Sequence, residues 1–82
     1  MRITVLYFAA ARDLAGVSEE LLDLASGVRT VGDLRIRLAS LRPALAGRLE
    51  QVRFARNEEF ASDGDALLDG DVIALIPPVA GG

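Results

Sequence analysis

Hydrophobic and polar positions alternate over residues 2–8, RITVLYF. Ile3, Val5 and Tyr7 therefore share one face of a strand, and Arg2, Thr4, Leu6 and Phe8 share the other. Ala9, Ala10 and Ala11 open a run of good helix formers that Gly16 ends after one or two turns. Residues 17–24, VSEELLDL, fit a helix or a strand by pattern alone. The Ser26-Gly27 turn close behind leaves too little chain for a lone helix and favours a strand.

The strongest helical signal begins at Thr30. Its hydroxyl suits an N-cap, and Asp33 falls in the positive first turn. Val31, Leu34, Leu38, Leu41 and Leu45 recur at steps of three and four, forming one apolar stripe. Pro43 disfavours helical geometry at Arg42, which predicts that the main helix stops near Leu41. Residues 52–56, VRFAR, alternate as a short strand; residues 57–59 read as a turn, and Phe60-Ala61 begin a brief return strand. Asp-Gly-Asp at 63–65 and again at 69–71 signals turns.

Residues 72–76, VIALI, are almost wholly apolar and are halted by Pro77-Pro78, which predicts a central strand lying parallel to the first. The order strand, strand, helix, then two or three strands predicts an α+β domain. Its expected form is a ubiquitin-like β-grasp, a mixed sheet with one main helix packed across one face.

With 82 residues the chain makes one domain, expected as a folded body over 1–78 and a flexible tail over 79–82 ending in Gly81-Gly82. Hydrophobic residues make up 51% of it, enough for a small core without cross-links. Cysteine is absent, which removes disulfides and zinc–thiolate sites. Histidine is absent too, so neither a Ser-His nor a Cys-His nucleophile pair can be assembled. The Asp-Gly-Asp pairs lack the spacing and closing Glu of a calcium loop, and no metal site is expected. A net charge of −3 argues against a nucleic-acid partner.

No apolar run approaches the ~20 residues that span a bilayer, and the N-terminal residues have no signal-peptide layout. The expected location is the cytoplasm, with no membrane partner. All nine basic residues are arginine, so no lysine amine is available for acylation within the chain. The chain is expected to be non-catalytic by itself.

What remains is the C-terminal segment. Glycine lacks Cβ and tolerates close backbone approach, so Val79-Ala80-Gly81-Gly82 is expected to thread into a narrow site and present the Gly82 carboxylate there. Pro77 and Pro78 stiffen the exit, since proline fixes φ and favours extended geometry.

VLYFAAARDLAG at 5–16, TVGDLRIRL at 30–38, ARNEEF at 55–60 and LLDGDVIALIPPVAGG at 67–82 together resemble the small subunits of molybdopterin synthase. These belong to the ubiquitin-like sulfur carriers. The resemblance spans essentially the whole chain and is sharpest in the last sixteen residues. It implies that a ubiquitin-activating-type adenylyltransferase adenylates Gly82 with ATP. A sulfur donor then converts the glycyl adenylate to a thiocarboxylate. The thiocarboxylate sulfur passes to cyclic pyranopterin monophosphate in molybdenum cofactor biosynthesis.

No bound cofactor is implied, only these transient C-terminal forms. The active site would lie on a large subunit, in a heterotetramer. Phe8, Ile76 and Phe60 correspond to partner-facing hydrophobic positions and are expected to form an exposed apolar patch; closing the core is the alternative for Phe60. Arg12 is a candidate polar contact, or simply a solvated helical charge. The rival functions are a carrier for thiamine or cysteine synthesis, a ubiquitin-like protein modifier, and an interaction domain with an inert tail.

Overall fold

The computed structural model describes residues 1–78. Residues 79–82, the expected tail, lie outside the described residues. The elements run β1 (Arg2–Tyr7), α1 (Ala9–Ala15), β2 (Glu19–Asp23), α2 (Val31–Leu41), α3 (Pro43–Ala46), β3 (Arg53–Arg56), β4 (Glu59–Phe60) and β5 (Val72–Ile76). The strands form one sheet in the order β2-β1-β5-β3-β4. β1 and β5 pair in parallel, with Val5 opposite Ile73 and Tyr7 opposite Leu75. The other pairings are antiparallel. This is the expected ubiquitin-like β-grasp, with the last strand at the centre beside the first.

Strand alternation decides what each face does. Ile3, Val5, Tyr7, Phe54, Ile73 and Leu75 are buried on one face. They join a single cluster with Val31, Leu34 and Leu38 of α2, Leu45 of α3, and Ala11 and Ala15 of α1. All three helices thus cover the same face. Burying each large side chain of this kind is worth about 1.5–3 kcal/mol relative to leaving it exposed.

The α2 stripe needs one correction. Leu41 is 43% exposed. At Arg42 the backbone leaves helical geometry (φ −129, ψ 80) ahead of Pro43, and α3 returns the chain so that Leu45 takes the buried position. Pro43, read only as a stop, also starts α3 at the first helical turn, where its missing N–H costs nothing. At the other end of α2 a capping box forms. The Thr30 hydroxyl accepts from the Asp33 N–H at 3.1 Å, while the Asp33 carboxylate accepts from the Thr30 N–H at 3.1 Å and the Arg29 N–H at 3.0 Å. Gly16 closes α1 in the left-handed region at φ 78, where glycine carries no Cβ penalty.

Arg42 does more than end a helix. It donates to both Glu20 carboxylate oxygens and to the Ala15 carbonyl, while the Tyr7 hydroxyl donates to Glu20 at 2.5 Å. β1, β2, α1 and the α2–α3 corner are tied together in this way. The Arg42 hydrogen bond holds the Glu20 carboxyl below its ordinary range, and burial beside Glu20 raises the Tyr7 hydroxyl.

A second network fixes the start of β5. Asp71, 5% exposed, accepts from Arg56 Nε at 2.7 Å, Asn57 Nδ2 at 2.9 Å and the Leu68 N–H at 2.8 Å. Asn57 brackets the next residue: its N–H donates to the Val72 carbonyl, and its Oδ1 accepts from the Val72 N–H. The β3–β4 turn consists of Asn57 and Glu58 alone, both with positive φ (50 and 72). This is the type I′ pattern of a two-residue hairpin. Glu59 accordingly belongs to the return strand rather than to the turn, one residue earlier than the alternation indicated.

Burial works against the Asp71 charge, but hydrogen bonds from Arg56, the Leu68 amide and Asn57 outweigh it and lower its pKa from the ordinary 3.8. A lowered folded-state value means stability that is fully present above the unfolded value and lost as pH falls through the folded one. Asp71→Ala is expected to cost about 2–3 kcal/mol in urea unfolding at neutral pH, and Asp71→Asn to flatten the stability loss below about pH 4. An unchanged urea midpoint would remove Asp71 from its structural role.

Glu58 makes an independent prediction. A side chain in the left-handed region costs about 1–2 kcal/mol, against roughly 0.5–1 kcal/mol of extra backbone entropy for glycine. Glu58→Gly should therefore raise stability by about 0.5–1 kcal/mol. A drop in melting temperature would show that the Glu58 side chain supports the turn.

Candidate functional site

The face of the sheet opposite the helices carries the candidate site. Here Leu6 of β1 and Val72, Ala74 and Ile76 of β5 alternate with the buried positions and point away from the core, and Ala55 of β3, itself buried, lies on the same face opposite Ala74. Phe8 and Phe60 join them, and Asn57 and Glu58 complete the lining of an open groove of roughly 520 Å³. Phe8 is 48% exposed and Phe60 59% exposed. Phe60 therefore does not close the core, because its cross-strand partner Ala55 lies on the open face with it.

Local backbone geometry places these rings. Phe8 follows the last β1 residue in extended geometry (φ −114, ψ 150) and caps α1 without a side-chain hydrogen bond. Its N–H donates to the Leu75 carbonyl at 3.3 Å, and its carbonyl accepts from the Ala11 and Arg12 amides. Ala9 then takes a positive φ of 48, which turns the chain into α1 while Phe8 stays outside. Phe60 is positioned by the tight Asn57-Glu58 turn, itself tied to Val72.

The structure thus brings Phe8, Phe60 and Ile76 together along one open groove. It does not bring Arg12 to them: Arg12 is exposed near the end of α1, away from the groove lining, and forms no ion pair among the described residues. Pro77 and Pro78 lie elsewhere as well. They line a smaller cleft of roughly 100 Å³ with Ala10, Ala11, Leu14, Leu45 and Val52 among others, on the helical side. The chain therefore leaves β5 between an apolar groove on one face and a proline-lined cleft on the other. Val79, Ala80, Gly81 and Gly82 lie outside the described residues.

Sequence reasoning missed one feature of the groove. The Arg53 guanidinium carbon stands 3.7 Å from the centroid of the Phe60 ring. Strand alternation places Arg53 and Phe60 on the same side once the β3–β4 register is known, so the pairing was readable only with the turn length in hand. The Asp-Gly-Asp carboxylates are engaged within the fold. Asp63 accepts from Arg35, Asp65 from the Ser62 N–H, Asp69 from the Arg2 N–H, and Asp71 from the network above. Among the described residues no group of three His, Cys, Asp or Glu side chains could hold a metal ion, and no helix is long and apolar enough to cross a membrane.

This architecture has known counterparts. The molybdopterin synthase sulfur carrier subunit of Chlamydomonas reinhardtii is 43% identical over 84 residues, covering 100% of both chains. The crystal structure of SAMP1 from Haloferax volcanii superposes with a TM-score of 0.87 at 33% identity, again covering 100% of both chains. A complex of subunits 1 and 2 of the molybdopterin-converting factor from Helicobacter pylori contains a chain matching at TM-score 0.72 and 26% identity over 100% of each. The model of the ThiS family matches residues 5–82. From its sequence and its fold alike, the chain belongs to the ThiS family.

Proposed function

We propose that this protein is the sulfur carrier subunit of a molybdopterin synthase, with Gly82 as the atom-bearing residue. The observation that carries the reading is the apolar groove of Phe8, Phe60 and Ile76 placed at the root of the C-terminal segment, since Ile76 lines the groove and Pro77 follows it. Contiguous exposed apolar surface marks an interaction site. Similarity to a protein named as a sulfur carrier subunit, and to a chain solved together with a second subunit, supports the same reading.

The chemistry follows from what a carboxylate lacks. A carboxylate is a poor acyl donor, so its oxygen attacks the α-phosphorus of ATP on an adenylyltransferase, giving glycyl adenylate and releasing pyrophosphate. A sulfur donor supplies a sulfide equivalent that displaces AMP and leaves the thiocarboxylate. The sulfur then adds to the pterin precursor on the large subunit, and water returns Gly82 to the carboxylate. Fully extended, four residues beyond Pro78 reach at most about 13–14 Å at ~3.3–3.6 Å each. The folded body therefore docks close to the partner's active site while the segment enters it. The proline pair limits the chain entropy lost on entry.

A modifier role is the second reading, favoured by the likeness to the small archaeal modifier protein 1 of Haloferax volcanii. One experiment separates the two. The protein is incubated with ATP, its activating enzyme and a sulfur donor, and its intact mass is measured. The carrier reading expects exchange of one oxygen for one sulfur at the C-terminus, followed by molybdopterin formation when the large subunit and pterin precursor are added. Isopeptide adducts on lysines of added proteins, without that exchange, would establish the modifier instead.

Deleting Gly82 is expected to abolish sulfur transfer while the urea midpoint stays unchanged; retained transfer would refute the terminal mechanism. Phe8→Glu should weaken binding of the large subunit by about 2 kcal/mol, roughly thirtyfold, as expected for loss of a central aromatic anchor. Wild-type affinity would remove the groove from docking.

A further inference from the structure

The apolar groove carries a different charge near each of its two ends, and the order of the two follows the strand direction. β5 runs from Val72 to Ile76 antiparallel to β3, with Ile76 opposite Arg53 and Ile73 opposite Arg56. Arg53 therefore marks the end where the chain passes into Pro77. Glu58 marks the opposite end, because the turn that holds it is hydrogen-bonded to Val72 through Asn57. Arg35 and Arg42 on neighbouring elements, and Arg56 on β3 itself, each reach a carboxylate within 3 Å or less. Arg53 instead sets its guanidinium carbon over the Phe60 ring and has no carboxylate within ion-pair distance among the described residues. A guanidinium stacked on a ring is pre-oriented, so little side-chain freedom remains to be lost when a carboxylate arrives at its edge.

We propose that Arg53, held by Phe60, fixes the direction in which the partner subunit docks. The partner lays an apolar anchor in the groove and presents a carboxylate to Arg53 at the exit end, leaving the Glu58 end for a donor or cation. This rests on the reading of the groove as the docking surface for the large subunit and adds the polar contact that orients it. An apolar groove alone would accept an anchor in either direction, whereas opposite charges at its two ends penalise the reversed one. Direction matters because the C-terminal segment starts at the Arg53 end, and a reversed partner would place its active site beyond reach. A second copy of this chain, packed about a two-fold axis, would set Glu58 against Arg53 and is the competing occupant.

The test is calorimetric titration of the full chain into the large subunit at low and high salt, with Arg53→Glu, Arg53→Gln, Arg53→Lys and Phe8→Glu alongside the wild type. Arg53→Glu should weaken binding at least tenfold and flatten its salt dependence. Arg53→Gln should reproduce the flattened salt dependence without like-charge repulsion, so it reports even where Arg53→Glu alters folding. Arg53→Lys, which keeps the charge but loses the planar fork, should fall between. If both Arg53→Glu and Arg53→Gln bind like the wild type while Phe8→Glu is weakened, the role of Arg53 is overturned and the groove reading survives. If Phe8→Glu also binds like the wild type, the groove reading itself is overturned. A homodimer in sedimentation velocity that Arg53→Glu dissolves, with partner affinity unchanged, would assign the contact to a second copy and overturn the proposal.

Discussion

β5 is apolar on both of its faces, but the helices cover only one of them. Ile73 and Leu75 are sealed beneath α1, α2 and α3, while Val72, Ala74 and Ile76 face outward from the same strand. A central strand in a sheet covered on both sides reads this way, and a sheet solvated on one side ordinarily alternates apolar with polar. The conflict between pattern and coverage creates the groove. It also explains why Leu6 and Phe8 accompany it: parallel pairing in register sets Leu6 against Ala74 across the ladder, so the outward residues of β1 extend the same surface. A one-residue slip would exchange the two sets and put the groove residues in the core.

Register is therefore what the rest of the fold must protect, and charge does much of that work. Asp71 precedes β5 and gathers Arg56, Asn57 and the Leu68 amide, so the beginning of the strand and the end of β3 cannot slide past each other. Three hydrogen bonds to a nearly buried carboxylate are a strict geometric demand, since a displaced partner would leave charge unsatisfied. Glu20 does the same on the far side of the sheet. There Tyr7 and Arg42 converge on one carboxylate and lock β2 and β1 to the helical corner.

The features legible in the sequence were those written in local chemistry. Thr30 announced the N-cap of α2, Gly16 the end of α1, and Pro77 the end of β5, because each is a residue type with one dominant backbone use. The apolar VIALI run announced a central strand. Less legible was anything that depends on where the chain goes next. Leu41 fits the helical stripe by spacing, but the α2–α3 corner supplies Leu45 to the core in its stead. α3 is too short for periodicity to reveal. The three-way meeting of Tyr7, Glu20 and Arg42 joins residues from separate elements, so no spacing encodes it. Among the site residues, Phe8 and Ile76 followed from alternation alone, Phe60 needed the turn length, and Arg12 had only family position behind it.

Two non-glycine residues with positive φ besides Asn57 flank the groove, and their locations link strain to the site. Ala9 follows Phe8, and Glu58 stands two residues before Phe60. In each case the left-handed residue makes the chain reverse sharply, and the aromatic ring stays on the open face of the sheet. Backbone strain of this size, of order 1–3 kcal/mol, persists only where surrounding structure over-determines it. Here the over-determination is visible. The Phe8 amide is held by Leu75, its carbonyl starts α1, and the Asn57-Glu58 turn is clamped to Val72. Both aromatic walls of the groove are thus anchored to β5 itself. The strand that sends the chain out through Pro77 also sets the spacing of the rings beside that exit, so the geometry of docking and the position of the C-terminal segment are held by one element.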